Sequence, residues 1–301
     1  MFESLFSDGG LSLDRLRVLV EVHYAGGIAA AAPDSPVKQS QYSTQLRELS
    51  TFFGTELTQR EGKRLKLTET GVRLAELAAK QLQALSDLRA ECLGRIEYRV
   101  GTGDGLLHWL VIPRLTGFTE RPARVVFSTH NLRSGDIIRR VQETRLEFGI
   151  VRSDAVTSGV QSLSIGRMEF CGVIPRALCK KKPPTSIEDF CELPLAVMST
   201  DGQFTDRIKE AAKRLGVTMN VTLACESHPQ AIAAVQTGRY AAIVPCIAMK
   251  SLGPQFVEFR HAAFKPLARD LSLIWHPRML EIRPLGPQVC EHMKATFTQS
   301  I

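Results

Sequence analysis

Apolar residues recur at helical intervals in the first third of the chain and at shorter, strand-like intervals after it. Residues 12–24 read as a helix that Ser12 can cap, with Leu13, Leu16, Val20 and His23 on one face. Gly26–Gly27 stops it, Ile28–Ala32 starts a second short helix, and Pro33 and Pro36 bracket a turn. A third helix is expected from Gln39 to about Phe53. Its apolar stripe is Tyr42, Leu46, Leu49 and Phe53, and Gly54 terminates it. The opposite face carries Gln41, Ser43, Thr44, Gln45, Arg47 and Glu48. Residues 57–67 read as a hairpin turning at Glu61–Gly62, with Arg64 and Lys66 on one face. Thr68 then caps a long helix from Glu69 to Arg95. In it Leu74, Ala78, Leu85 and Leu88 approach heptad spacing, a stripe that a partner chain would cover.

From Ile96 onward, strands alternate with helices. The strands are expected at 96–102, 124–129, 147–152, 169–174, 195–198, 218–225, 241–244, 256–259 and 270–275. The helices are expected at 106–118, 134–144, 204–215, 229–237 and 286–297. This order predicts α/β architecture with largely parallel sheets. A length of 301 residues suits two domains, and 44% hydrophobic with 23% charged residues is ordinary globular composition.

The formal charge of +7 invites a nucleic-acid reading, but its location does not support one by itself. Residues 1–95 hold 12 basic and 12 acidic groups, so the excess lies in residues 96–301. That distribution mildly favours an anionic small ligand in the second part of the chain.

Seven cysteines without a CxxC pair fit neither a disulfide framework nor a zinc cluster, and they are expected to be small buried hydrophobes. The spacing of Cys171, Cys179 and Cys191 leaves a redox switch as the alternative. GxSxG, Walker and HExxH motifs are absent, so neither catalysis nor a metal or other cofactor is expected. Glu3 and Asp8 argue against a secretory signal, and no run approaches about 18 apolar residues, so the expected location is cytoplasmic, away from membranes.

Helix, short helix, turn, helix, hairpin and long helix make a winged helix-turn-helix with a linker helix. Gly26, Ala31–Ala32, Val37, Gln39, Ser43, Gln45, Leu49, Gly54, Leu57, Arg60, Arg64 and above all Leu67-Thr68-Glu69-Thr70-Gly71 resemble the LysR-type transcriptional regulators. Ile112-Pro113-Arg114-Leu115, Glu147-Phe148-Gly149-Ile150-Val151 and the stretch 238–245 resemble that family's effector domain. The resemblance implies a winged helix-turn-helix domain at 1–68, a dimerising linker helix at 69–95 and a two-lobed α/β effector domain at 96–301, similar to type 2 periplasmic binding proteins. Lobe I would take about 96–168 and 268–301, and lobe II about 169–267. It further implies a bacterial regulator that binds double-stranded promoter DNA as a homodimer or homotetramer and answers to a small effector.

On the DNA side, Gln39, Gln41, Ser43, Thr44 and Arg47 are the candidates for base edges in the major groove. Arg60, Lys63, Arg64 and Lys66 are the candidates for phosphates. On the effector side, Thr102 and Gly103 precede a helix whose amides suit a carboxylate or phosphate. By the resemblance, Thr200, Gln203 and Phe204 face them, with Asn131, Arg152 and His228 nearby. Pro33, Lys38 and Thr44 depart from the family pattern. Lys38 stands where a serine usually caps the recognition helix, an expected loss of about 1 kcal/mol. They motivate a second reading: a small-molecule-binding α/β protein whose N-terminal domain serves oligomerisation.

Overall fold

A computed structural model describes residues 2–6, 9–61, 64–120, 123–179, 182–198 and 203–298. Lys63, Thr200, the Gly62 turn and Lys180–Lys181 lie outside the described residues, and Arg64 and Gln203 are described for their backbone alone. The chain divides into two compact units, Met1–Leu93 and Gly94–Ile301.

The first unit holds α1 (Leu13–Ala25), α2 (Ile28–Ala31), α3 (Pro36–Phe53), the ribbon β1 (Thr58–Glu61) and β2 (Arg64–Leu67), and α4 (Glu69–Cys92). Its core joins Val18, Leu19 and Val22 of α1 to Leu46 and Leu49 of α3, Leu57 and Ala75. The face expected for α1 is therefore corrected: Leu13 is exposed, and the helix turns 18, 19 and 22 inward. Likewise Phe53, placed on the stripe of α3, is exposed.

The start of α3 also differs from the sequence reading. Ser35 is the N-cap, its hydroxyl accepting from Lys38 N at 3.3 Å, and Pro36 occupies the first helical turn. Proline has no amide proton to lose there, so it opens the helix rather than ending a turn. The cap judged missing at Lys38 is present three residues earlier. Gly54 closes the helix with φ 64°, in the left-handed region open to glycine.

The stretch Leu67-Thr68-Glu69-Thr70-Gly71 ties the ribbon to α4. Thr68 Oγ1 accepts from Gly71 N at 3.1 Å and donates to the Glu56 carbonyl at 2.9 Å. A Cβ on Gly71 would stand 2.2 Å from the Leu57 carbonyl oxygen, so this helix start packs directly on backbone. α4 ends at Cys92 rather than Arg95, and its expected stripe divides. Ala78 is buried and Leu74 half-buried, whereas Leu77, Leu85 and Leu88 are each more than half exposed.

The second unit contains two mixed sheets, against the expectation of largely parallel ones. Its elements are β3 (Arg95–Thr102), α5 (Asp104–Leu106), β4 (Phe118–Glu120), β5 (Ala123–Asn131), α6 (Ser134–Gln142), β6 (Phe148–Arg152), β7 (Gln161–Met168), β8 (Phe170–Pro175), α7 (Ile187–Glu192), β9 (Leu195–Met198), α8 (Gln203–Leu215), β10 (Val221–Cys225), α9 (His228–Gln236), β11 (Ala241–Pro245), β12 (Phe256–Phe259), β13 (Arg269–Trp275), α10 (Met279–Ile282) and α11 (Gly286–Phe297). The helix expected at 106–118 is short: a π turn, Leu107–Val111, follows α5, and Pro113 prevents continuation.

One sheet has the order β4-β5-β3-β6-β13-β7 and the other β10-β9-β11-β8-β12. The chain completes β3 to β7 in the first sheet, builds the second, and returns as β13. It re-enters antiparallel to both β6 and β7. The two crossovers are adjacent, because Arg269 stands opposite Met168 in the β13–β7 register. At the far end of β6 and β13 from these crossovers, Glu147, almost fully buried, is bound by Arg99 at 2.7 Å and by Arg283 at 3.4 Å.

Candidate functional site

On α3 the exposed surface is centred on Val37, Ser40, Gln41, Thr44 and Thr51, with Ser43 and Arg47 exposed beside it. Spacings of three and four place these centre positions on one helical face, opposite Leu46 and Leu49. Gln39 does not belong to that surface: its amide donates to the Ala32 carbonyl at 2.7 Å and holds the turn between α2 and α3. Thr44 bonds back to the Ser40 carbonyl at 3.1 Å. The sequence reading missed Val37 and Ser40, which the position of the Ser35 cap brings onto the first helical turns. In the ribbon, positions 59, 61, 64 and 66 share one face, whereas Arg60 lies on the other, opposite Leu65. The expected phosphate group is thereby split between two faces.

In the second unit a cavity of about 750 Å³ opens between the two sheets. Of the effector residues expected from the sequence, it brings together Thr102, Gly103, Asn131, Arg152, Phe204 and His228. Thr102 is fully buried and donates its hydroxyl to the Ile150 carbonyl at 2.8 Å, so it fixes β3 against β6. Phe204 and Phe170 close on the His228 ring, with centroids 4.7 and 5.6 Å away. The Nδ1 of His228 is buried without a partner among the described residues. Burial first, and the charge of Arg269 second, lower its pKa from 6.5 to about 4, so the imidazole is neutral near pH 7.

Arg269, which no sequence spacing singled out, is a buried cation of this cavity. It lines the cavity at the crossover into β13, is 7% exposed, and its Nη1 has no hydrogen-bond partner among the described residues. Burial and the neighbouring charges of Arg207 and Arg152 lower its pKa to about 10. Arg152 and Arg207 both reach Asp154, at 3.6 and 3.9 Å, and Asp104, Asp136 and Glu226 also line the cavity. The N-terminal ends of α6 and α9 also line the cavity, adding partial positive charge.

Two family models match in the order of the two units. Residues 13–72 match the bacterial regulatory helix-turn-helix protein, lysR family, and residues 94–286 match the LysR substrate binding domain. The chain belongs to the LysR family of transcriptional regulators.

Members of this family are transcriptional regulators, not enzymes, as the lack of catalytic motifs anticipates. A probable RuBisCO transcriptional regulator from Emiliania huxleyi is 23% identical over 319 positions, covering 98% of each chain. Among solved structures, ArgP from Mycobacterium tuberculosis aligns with TM-score 0.61 at 18% identity, covering 94% of this chain and 96% of that one. Vibrio fischeri DarR, solved in complex with DNA, aligns with TM-score 0.55 at 17% identity, covering 94% and 98%. These likenesses support the winged helix-turn-helix and two-sheet α/β fold of this LysR-type regulator. Among its described residues, no helix is long and apolar enough to cross a membrane.

Proposed function

We propose that this LysR-type regulator binds promoter DNA in the cytoplasm through α3 and the β1–β2 wing, as a homodimer or homotetramer, and changes that complex when a small anion enters the cavity. The observation that carries the effector half is Arg269, a buried guanidinium without a side-chain partner among the described residues. A buried charge is costly unless paired, and a carboxylate or phosphate supplies the missing partner. The exposed polar face of α3 supports the DNA half: Gln41 and Arg47 offer amide and guanidinium groups suited to base edges, while Arg60 and Lys66 suit phosphates.

The test joins calorimetric titration of small carboxylates and phosphates with footprinting of the chain's own upstream region. Saturable anion binding, lost in Arg269→Gln, is expected, together with a footprint that shifts when the anion is bound. Gln41→Ala should cost about 1–3 kcal/mol at particular base pairs, whereas Arg60→Ala should weaken all sequences alike. Anion binding unchanged in Arg269→Gln overturns the effector half. Identical effects of the two DNA variants overturn the groove assignment.

A further inference from the structure

Cys171 and Cys246 are far apart in sequence, and the second sheet brings them together. β11 runs antiparallel to β8 with Val244 opposite Cys171, and Cys246 N extends the ladder by donating to the Glu169 carbonyl at 2.8 Å. Alternation puts Val244 and position 246 on the same side as Cys171. Across the other edge of β8, Glu258 of β12 pairs with Val173, two residues from Cys171 and on that same side. The two sulfurs and a Glu258 carboxylate oxygen lie within 4.8 Å of one another. Among the described residues no other group of three or more histidine, cysteine or acidic side chains converges in this way.

We propose that Cys171, Cys246 and Glu258 bind a thiophilic divalent cation of the zinc class. Zinc takes thiolate at about 2.3 Å and carboxylate at about 2.0–2.2 Å, which sets two tetrahedral sulfurs roughly 3.8 Å apart. Separations of no more than 4.8 Å need at most about 1 Å of closure, within reach of side-chain rotation. Soft sulfur ligands exclude magnesium and calcium, which demand oxygen shells. Charge selects the divalent state. Two thiolates and Glu258 carry three negative charges, and Arg260, 2.8 Å from Glu258 and 3.5 Å from Glu169, contributes one positive. A 2+ ion then makes the ligand set with Arg260 neutral, and binding releases the two thiol protons to solvent. Arg260 holds one oxygen of Glu258 and orients the carboxylate, as hydrogen-bonded partners of metal ligands do. Cys171 is fully buried, Cys246 half-buried and Glu258 exposed, so the ion enters from the Glu258 side.

The inference rests on sheet register and does not depend on the anion reading of the neighbouring cavity. It is tested on the full chain carrying Cys92→Ser, which removes the exposed thiol. Zn²⁺ binding is followed by calorimetry, and Cd²⁺ binding by sulfur-to-metal charge-transfer absorption in the ultraviolet. One ion per chain is expected, with the Cd²⁺ band lost in Cys246→Ser. Glu258→Gln, on an exposed side chain, should weaken Zn²⁺ by tenfold or more without altering the fold. A Cd²⁺ band that survives Cys246→Ser, Zn²⁺ affinity unchanged in Glu258→Gln, or Mg²⁺ binding as tightly as Zn²⁺ would each overturn the site. So would a Cys171–Cys246 disulfide that forms in air and accounts for the pair instead.

Discussion

His228 shows how a single side chain records its surroundings. With its pKa near 4 in the folded chain and near 6.5 when unfolded, it stays neutral in the native state while the unfolded chain takes up a proton. The unfolded state therefore binds more protons between these values, and stability falls as pH drops through that window. The full swing is about 3 kcal/mol. Urea denaturation at pH 7 and pH 4.5 should show this loss in the parent and a smaller one in His228→Asn. Equal losses would mean that His228 is not held neutral. His228 was legible in the sequence only through the family resemblance, and Arg269 was not legible at all. An arginine at a strand entrance has no local pattern; its meaning depends on Arg152 and Arg207, brought near by the return of the chain.

At the scale of elements, the junction of β2 and α4 explains why a short polar motif was so readable. Thr68 caps the helix and Gly71 permits contact with the Leu57 carbonyl, so both residue types are dictated locally. Gly71→Ala should force the helix start away from that carbonyl and destabilise the N-terminal unit by about 1–3 kcal/mol. Calorimetry would register this as a lower transition for that unit alone, and an unchanged transition would contradict the packing. The start of α3 was misread because Pro33 and Pro36 look alike in sequence, while only Pro36 sits where its missing amide is harmless. β7 was missed for another reason. Its alternation is short, Leu163 and Ile165 between Ser162, Ser164 and Gly166, and a bulge at Ile165 breaks the phase before Met168, so pairing with β13 is what makes it a strand.

At the scale of the whole molecule, α4 presents Leu77, Leu85 and Leu88 bare to solvent. The heptad spacing made the need for a partner readable, although it did not reveal that Ala78 is already used within the unit. Leu85→Ser combined with Leu88→Ser should lower the mass measured by light scattering to that of a smaller assembly. An unchanged mass would move the interface elsewhere. The charge arithmetic was legible too: the N-terminal residues are neutral in sum, so DNA affinity should depend shallowly on salt, with a slope of about −0.9 per phosphate neutralised.

The side-by-side crossovers at Met168 and Arg269 have a mechanical consequence. Under the proposed reading they make a pivot, and an anion seated on Arg269 sits at the axle, where rotation of the lobes displaces it least. Such an anchor serves open and closed angles alike, and a ligand that favours neither angle shifts no population. On that reading, the carboxylate or phosphate is the anchor, and the footprint shifts through the contacts the same molecule makes with lining residues away from the pivot, such as Asn131 and Glu226.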